Sequence, residues 1–569
     1  QSRSSAASDV YKRQDIIDEV LENEDIDISY IIENPIIYES VNFTLSIKNN
    51  ELGISKIEAQ IADEIVAQVE KGKELGINLN PDNFPAGDTI LTLIITDANG
   101  NITQHNYPIS FHRVLLELDL KENFFLPPQF VDFYFFASAI DGSLLASIKI
   151  DPISQNFKLT TPIDISPETP YSLTYVAIAR DINNTYTSTN LFTIKDLTRN
   201  NLPLFSPKGI LYYGASSRSE YSTNGFPDDD VINIGTVFPS YGYDVGYYSN
   251  TKAFVVDNIE MNFEDRDITN YYVPYHNLSQ NDYAYIWLNK QELSSDFVLD
   301  FDNLLRDGIE SRIFDASYND GDGDGRFGYL TILGYNNSKD FQDGIFHYLW
   351  QRNHAIDASF PTINTIPYFL NTTFETYSHI YQWEDYYTNR IGVPLESYNI
   401  PTWSFEYIQN GKEIDIIKNG DGHTAGKIFL NNLNDEAIIN GKRTIYNWSY
   451  LFDSQNTEKI ILPELPDDIK NSEFGSLHSS NNLLIERVLL NSYDGISSYP
   501  NYLDKVIKTN ENILNVTPKV EAKFINRRGN QWVIESDKFF YWFLLFEELI
   551  DRFFSLINYL IIKVRSKLN

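Results

Sequence analysis

The chain has 569 residues, with 79 Asp and Glu against 44 Lys and Arg, and no cysteine. A formal net charge of -35 repels phosphate backbones and attracts cations, which excludes ordinary nucleic-acid binding, and the missing thiols exclude disulfide frameworks, cysteine-ligated zinc and thiol nucleophiles. Hydrophobic residues at 42% and aromatic residues at 14% supply the apolar surface a folded protein needs, and the length requires several cores.

Residues 1–14 read as a non-native leader of the kind translated from sequencing adaptor. Any export signal or lipoprotein anchor is expected to belong to a start that the sequence does not show. Residues 15–34 form an acidic, Ile-rich lead-in. Over 35–113 the period sharpens: Val41, Phe43, Leu45 and Ile47 alternate with Asn42, Thr44 and Ser46, and Ile57, Ala59 and Ile61 repeat the pattern of a strand with one buried face. Residues 89–96 are rich in β-branched side chains, Asp97, Asn99, Gly100 and Asn101 supply turn chemistry, and Tyr107, Ile109 and Phe111 alternate on the return, which predicts a hairpin.

Leu79-Asn80-Pro81, Phe84-Pro85-Ala86-Gly87 and the turn from Thr96 to Asn101 resemble the last two strands of bacterial immunoglobulin-like repeats, over about 35–113. That resemblance implies a β-sandwich module of exported and surface proteins and no activity.

Residues 114–200 predict a second sandwich. Positions 130–139 are almost continuously apolar, Asp141-Gly142 is a strong hairpin signal, 144–150 returns, and Tyr171, Leu173, Tyr175 and Ala177 alternate with Ser172, Thr174, Val176 and Ile178. This strand pattern is similar to the immunoglobulin-like or prealbumin-like spacers of bacterial surface lipoproteins.

From 201 the composition changes. All seven tryptophans lie at Trp287 or later, and tyrosines crowd together as in Tyr212-Tyr213 and Tyr271-Tyr272. Short strands between Asn, Asp, Gly and Ser turns continue to 470 without a helical period, which predicts a large aromatic-rich β domain, a jelly roll or double sandwich, with a break near 362. Residues 471–535 mix a strand near 483–490 with polar connections. Over 536–569, Ser536 caps a predicted helix whose apolar surface carries a stripe of Glu547, Glu548, Asp551, Arg552, Ser555 and Asn558. Each central charge costs ~2.5–3.5 kcal/mol in a membrane span, so the helix is expected to pack on protein, to lie on a membrane surface, or to be a frame-shifted, non-native tail. The fold class is therefore mainly β: tandem sandwiches, a larger aromatic-rich β domain and a C-terminal helix.

Asp320, Asp322 and Asp324 alternate in a glycine-rich loop, with Gly325 at the position where a calcium loop turns sharply. The spacing points successive carboxylates at one centre, and calcium is the expected ion. The ninth and twelfth positions are Gly328 and Thr331, so the shell needs a further ligand, and a solvated acidic turn is the alternative. The same glycines spell a dinucleotide-like run from Gly323 to Gly328, but interleaved carboxylates repel a pyrophosphate. Gly426-Lys427 lacks the rest of a phosphate-binding loop, so no nucleotide is expected.

His347, His354 and Asp357 cluster in sequence. On a helix the two histidines would share a face, yet the HExxH spacing of zinc proteases is absent. Trp383, Glu384 and Asp385 join an aromatic face to carboxylates, which suits a sugar, the alternative being a hairpin with core aromatics. Asp228-Asp229-Asp230 reads as a solvated turn. With no nucleophile elbow present, the expected function is non-enzymatic glycan or partner-protein binding at a bacterial cell surface or after secretion. A polysaccharide-degrading enzyme with accessory sandwiches is the alternative.

Overall fold

The computed structural model describes residues 26–27 and 31–526, except 32, 49–52, 120–130, 151–155, 182, 202–203, 206–216, 228–231, 235–239, 249–250, 259–267, 278–280, 316–325, 357–364, 384, 433–436 and 509–512. The leader, most of the lead-in, Asp228 to Asp230, Asp320, Asp322, Asp324, Asp357, Glu384 and the C-terminal helix lie outside the described residues. What is described is mainly β, as the alternation and turn chemistry require. Strands of two or three residues are left without labels below.

Six strands build the first sandwich: β1 (Val41–Ile47), β2 (Ile54–Ile61), β3 (Glu64–Glu70), β4 (Glu74–Leu79), β5 (Gly87–Asp97) and β6 (Ile102–Phe111). β1 pairs with β4, and β6, β5, β2 and β3 pair in that order. The inward residues are those the period selects. Phe43, Leu45 and Ile47 meet Ile57, Ala59, Ile61, Leu91, Leu93, Ile109 and Phe111 in a core that draws only on residues 31–111. The predicted turn between β5 and β6 closes on the Asp97 carboxylate, whose Oδ1 accepts from the backbone N–H of Asn99 and Asn101, both at 2.8 Å. Gly100 supplies the φ of +85° that an L side chain resists.

The next strands are β7 (Arg113–Asp119), β8 (Val131–Ala139), β9 (Leu144–Lys149), β10 (Asn156–Thr161), β11 (Tyr171–Arg180) and β12 (Tyr186–Leu197). β8 and β9 form the expected hairpin over Asp141-Gly142, with Gly142 at φ +83°. Then follow β13 (Ser217–Asn224), β14 (Tyr243–Tyr248), β15 (Ala253–Asn258), β16 (Asn270–Asn277), β17 (Asp282–Asn289), β18 (Ile309–Asp315), β19 (Arg326–Tyr335), β20 (His347–Ile356), β21 (Thr365–Asn371), β22 (Thr376–Trp383) and β23 (Tyr386–Ile391). The remainder are β24 (Ser404–Asn410), β25 (Glu413–Asn419), β26 (Ala425–Asn431), β27 (Lys442–Asp453), β28 (Ile485–Tyr493) and β29 (Lys519–Asn526).

A 13-stranded sheet organises the molecule beyond the first sandwich. Its order is β9, β8, β11, β12, β27, β26, β28, β29, β23, β22, β19, β20, with a short strand at 437–439 beside β27. All main-path neighbours are antiparallel except β12 and β27, which run parallel from Tyr186↔Arg443 to Ile194↔Leu451. Four strands of 114–200, β8, β9, β11 and β12, thus share one sheet with strands from 326–391 and 425–526, while β7 and β10 pair in a separate three-stranded sheet.

Both faces of this sheet are covered, which explains the apolar runs. Along β8, Phe133, Phe135 and Ala137 enter one core while Tyr134 and Phe136 enter another. The first core is closed by β7 and β10 through Leu115, Leu116, Leu118 and Leu159, and the second by β24 and β25 through Phe405, Ile414 and Ile416. A strand buried on both faces loses polar alternation because neither side meets water. At the far end, β18 and β21 pack Phe314, Tyr368 and Phe369 against Leu330, Ile332, Tyr381 and Trp383. A further core joins β13, β14 and β15 to β16 and β17 through Tyr221, Tyr243, Phe254, Tyr271 and Tyr275.

Candidate functional site

The β22–β23 hairpin closes between the paired residues Trp383 and Tyr386. Its pleat sends Tyr381, Trp383 and Tyr386 into the core beneath β18 and β21. Trp383 is 1% exposed, so its ring is a core element here. A sugar can stack only on a ring face that solvent reaches, and the stacking role expected of Trp383 does not fit this placement. Tyr386 donates from its hydroxyl to Glu521 Oε1 at 3.0 Å, and burial together with the Glu521 charge raises its pKa above the usual phenol value.

Asp385 stays at the surface, with Oδ2 3.8 Å from Lys523 Nζ. Lys523 is the neighbour of Tyr386 across the β23–β29 pair and also donates to the Pro401 carbonyl at 3.1 Å. A part-exposed pair of this kind contributes ~0–1 kcal/mol. Sequence reasoning missed Lys523. Only the sheet register brings it to Asp385, and a lone lysine carries no local signal.

The start of β19 lies at the same edge. β19 pairs with β22 so that Gly328 is opposite Trp383. Arg326, two residues earlier, is therefore level with Asp385. The end of β20, with Ile356 opposite Arg326, is at the same edge. Arg326, the first described residue after the acidic stretch, and Asp385 thus stand towards one edge of one sheet, while Asp320, Asp322, Asp324 and Glu384 lie outside the described residues. Among the described residues no group of three or more His, Asp or Glu side chains is arranged to hold a metal ion.

On the same sheet the Arg487 guanidinium lies 4.8 Å from the Phe429 ring centroid, and Asn431 donates to Glu486. Burial lowers the Arg487 pKa, with Glu486 acting the other way. Such a cation–π pair arises from the Phe429↔Arg487 register, again without a local signal.

The histidines take structural places. His347 and His354 belong to a strand, β20, so the shared helical face does not exist; seven residues of strand separate them by roughly 23 Å along the chain. His347 Nδ1 lies 2.8 Å from the Tyr243 hydroxyl and Nε2 3.0 Å from Asn336 Nδ2. His423 Nδ1 is 2.7 Å from Ser454 Oγ, the contact a nucleophilic pair would make. Ser454 is 0% and His423 3% exposed, however, and the neighbouring Asp453 accepts from Gln455 and Asn456 in its own turn. The pair braces a buried turn.

No protein-family model matches the chain, and no curated protein matches it in sequence. Among solved structures, the chain is similar to the endo-beta-1,4-mannanase from Thermotoga petrophila over 13% of this chain and 17% of that one, at 14% identity and a TM-score of 0.12. Fibronectin(III)-like modules of Clostridium thermocellum CbhA match over 29% of this chain and 89% of that one, at 11% identity and a TM-score of 0.13. SGBP-B of the Bacteroides ovatus mixed-linkage glucan utilization locus, in complex with a mixed-linkage heptasaccharide, matches over 59% and 86%, at 12% identity and a TM-score of 0.11. At these TM-scores the likenesses carry no argument about this chain.

Proposed function

We propose that this chain is a non-enzymatic bacterial protein, secreted or held at the cell surface, that binds a glycan at the sheet edge marked by Arg326 at the start of β19 and Asp385 beside the end of β22. The carrying observation is the register of Gly328 opposite Trp383, which brings Arg326 level with Asp385. The part-exposed Asp385 carboxylate offers acceptors to sugar hydroxyls, and a calcium ion, if held by Asp320, Asp322 and Asp324, would add a centre that hydroxyl oxygens ligate. The strong acidity and the absence of cysteine suit a protein working outside the cell among cations.

Retention on immobilised polysaccharides, followed by analysis of the eluate, tests the reading. Retention without new reducing ends or unsaturated products is expected. Turnover would replace the binder by a polysaccharide-degrading enzyme, and retention of a partner protein with no glycan bound would replace the ligand class. Glu384→Ala together with Asp385→Ala should weaken retention about tenfold, equivalent to ~1.4 kcal/mol.

A further inference from the structure

We propose that the first sandwich is held on the central assembly in one fixed orientation by three cations, Arg113, Lys158 and Arg199, so that the two parts move as a single rigid arm. This holds whether or not the edge described above binds a glycan. Neighbouring domains on one chain move against each other unless something substantial fixes them, and flexible linkers run for several Gly- or Ser-rich residues. Here one residue, His112, separates β6 from β7. It is pinned on both sides: its backbone N–H donates to the Ile37 carbonyl at 2.9 Å, in the first sandwich, and its ring Nδ1 hydrogen-bonds Thr160 Oγ1 at 3.0 Å, on β10.

Arg113, the first residue of β7, is 4% exposed and reaches back into the first sandwich. Its two terminal nitrogens donate to the Pro81 carbonyl at 2.7 Å and the Phe84 carbonyl at 2.6 Å, and to Asp164 Oδ1 at 2.9 Å. The planar fork of a guanidinium suits three acceptors spread in this way, whereas an ammonium would approach them as a single point. The gripped loop is itself rigid. Asn80 Oδ1 caps its short 3-10 turn by accepting from Asp82 N–H at 3.1 Å, and Phe84 stacks on Phe111 with centroids 4.6 Å apart.

Arg199 donates to Asp82 Oδ1 at 2.8 Å and to the Ile165 carbonyl at 3.2 Å. Lys158 on β10 donates to Glu39 Oε2 at 2.8 Å and lies 5.3 Å from the Tyr38 ring centroid. All three cations stand on the central side of the joint, and each has at least one partner on the first sandwich. Together with the two hydrogen bonds of His112, these contacts oppose rotation about the single linking residue.

The absence of cysteine makes the test direct. Nitroxide labels at Ile102→Cys and Ile438→Cys, on residues 69% and 72% exposed, report the distance between the first sandwich and the 13-stranded sheet in the full chain by double electron–electron resonance. One narrow distance peak is expected, lost in Arg113→Met and in the double variant Lys158→Ala/Arg199→Ala, with far-ultraviolet circular dichroism confirming that each variant folds. Should Arg113→Met fail to fold, the double variant decides, because its two cations lie nearer the surface. Loss of the peak in any folded variant supports the clamp. A broad distribution in the otherwise unsubstituted chain, or a narrow peak kept in every folded variant, overturns it.

Discussion

The His347 ring sits between Tyr243 and Asn336 with both nitrogens engaged. Because Asn336 Nδ2 donates to Nε2, the proton resides on Nδ1 and points to the Tyr243 oxygen, so the imidazole is neutral. Burial pushes its pKa down to about 4, and His379 and His478 are pushed to about 4 for the same first reason. A folded-state value below the unfolded 6.5 means that the unfolded chain takes up the proton first as pH falls. The associated stability is complete above pH ~6.5 and is lost between there and pH ~4, by roughly 3 kcal/mol for each such ring. The urea midpoint should therefore fall across that window, and His347→Gln should make the fall shallower. Identical slopes in the two proteins would remove His347 from the account. Residues of this kind were only half legible in the sequence. Period-2 alternation identified Phe43, Leu45 and Ile47 as inward, because their strand has one wet face. It could not say that Trp383 points into a core, since β22 is covered on both sides there and alternation loses its contrast.

At the scale of the element, turn chemistry was the readable signal. Asp97 to Asn101 and Asp141-Gly142 form the hairpins expected of them, since the capping carboxylate and the positive-φ glycine act within a few residues. The partner of β12 could not be read, because no local rule links Tyr186 to Arg443. For the same reason, the continuous apolar run of β8 suggested a buried strand without revealing that two separate layers bury it. That double burial carries an expectation. Phe136 is 0% exposed in the core beneath β24 and β25, and Phe136→Ala should cost ~3–5 kcal/mol. Ile140→Ala, two residues past the next inward position and 61% exposed, should stay within ~0.5 kcal/mol. Denaturation followed by tryptophan fluorescence measures both, Trp448 being in the same core as Phe136. Equal, small losses would mean that this layer is loosely packed.

For the whole molecule, the separation of cores decides what a bound ion would stabilise. The first sandwich has a core of its own, while the strands flanking the acidic loop, β18 and β19, meet in the core around Trp350 and Trp383. If Asp320, Asp322 and Asp324 hold calcium, ~100 times the dissociation constant should add about 2.7 kcal/mol to the unfolding of the central assembly and leave the first sandwich unchanged. Calorimetry in calcium and in chelator measures the difference, Asp322→Ala should erase it, and coincident curves would reduce the loop to a solvated turn. The β12–β27 seam has a consequence for synthesis. Trp448 Nε1 donates to Thr193 Oγ1 across it, between residues 255 apart in the chain. A ribosome adding ~5–20 residues per second makes β12 wait roughly 10–50 s for its neighbour. Throughout that interval a 12-residue strand offers bare backbone donors and acceptors to any other unfinished chain. Nascent chains halted just after β12 should sediment unless a holdase chaperone is supplied, whereas chains halted after β6 should remain in the supernatant; equal solubility of the two would show that the waiting edge is shielded by the chain itself.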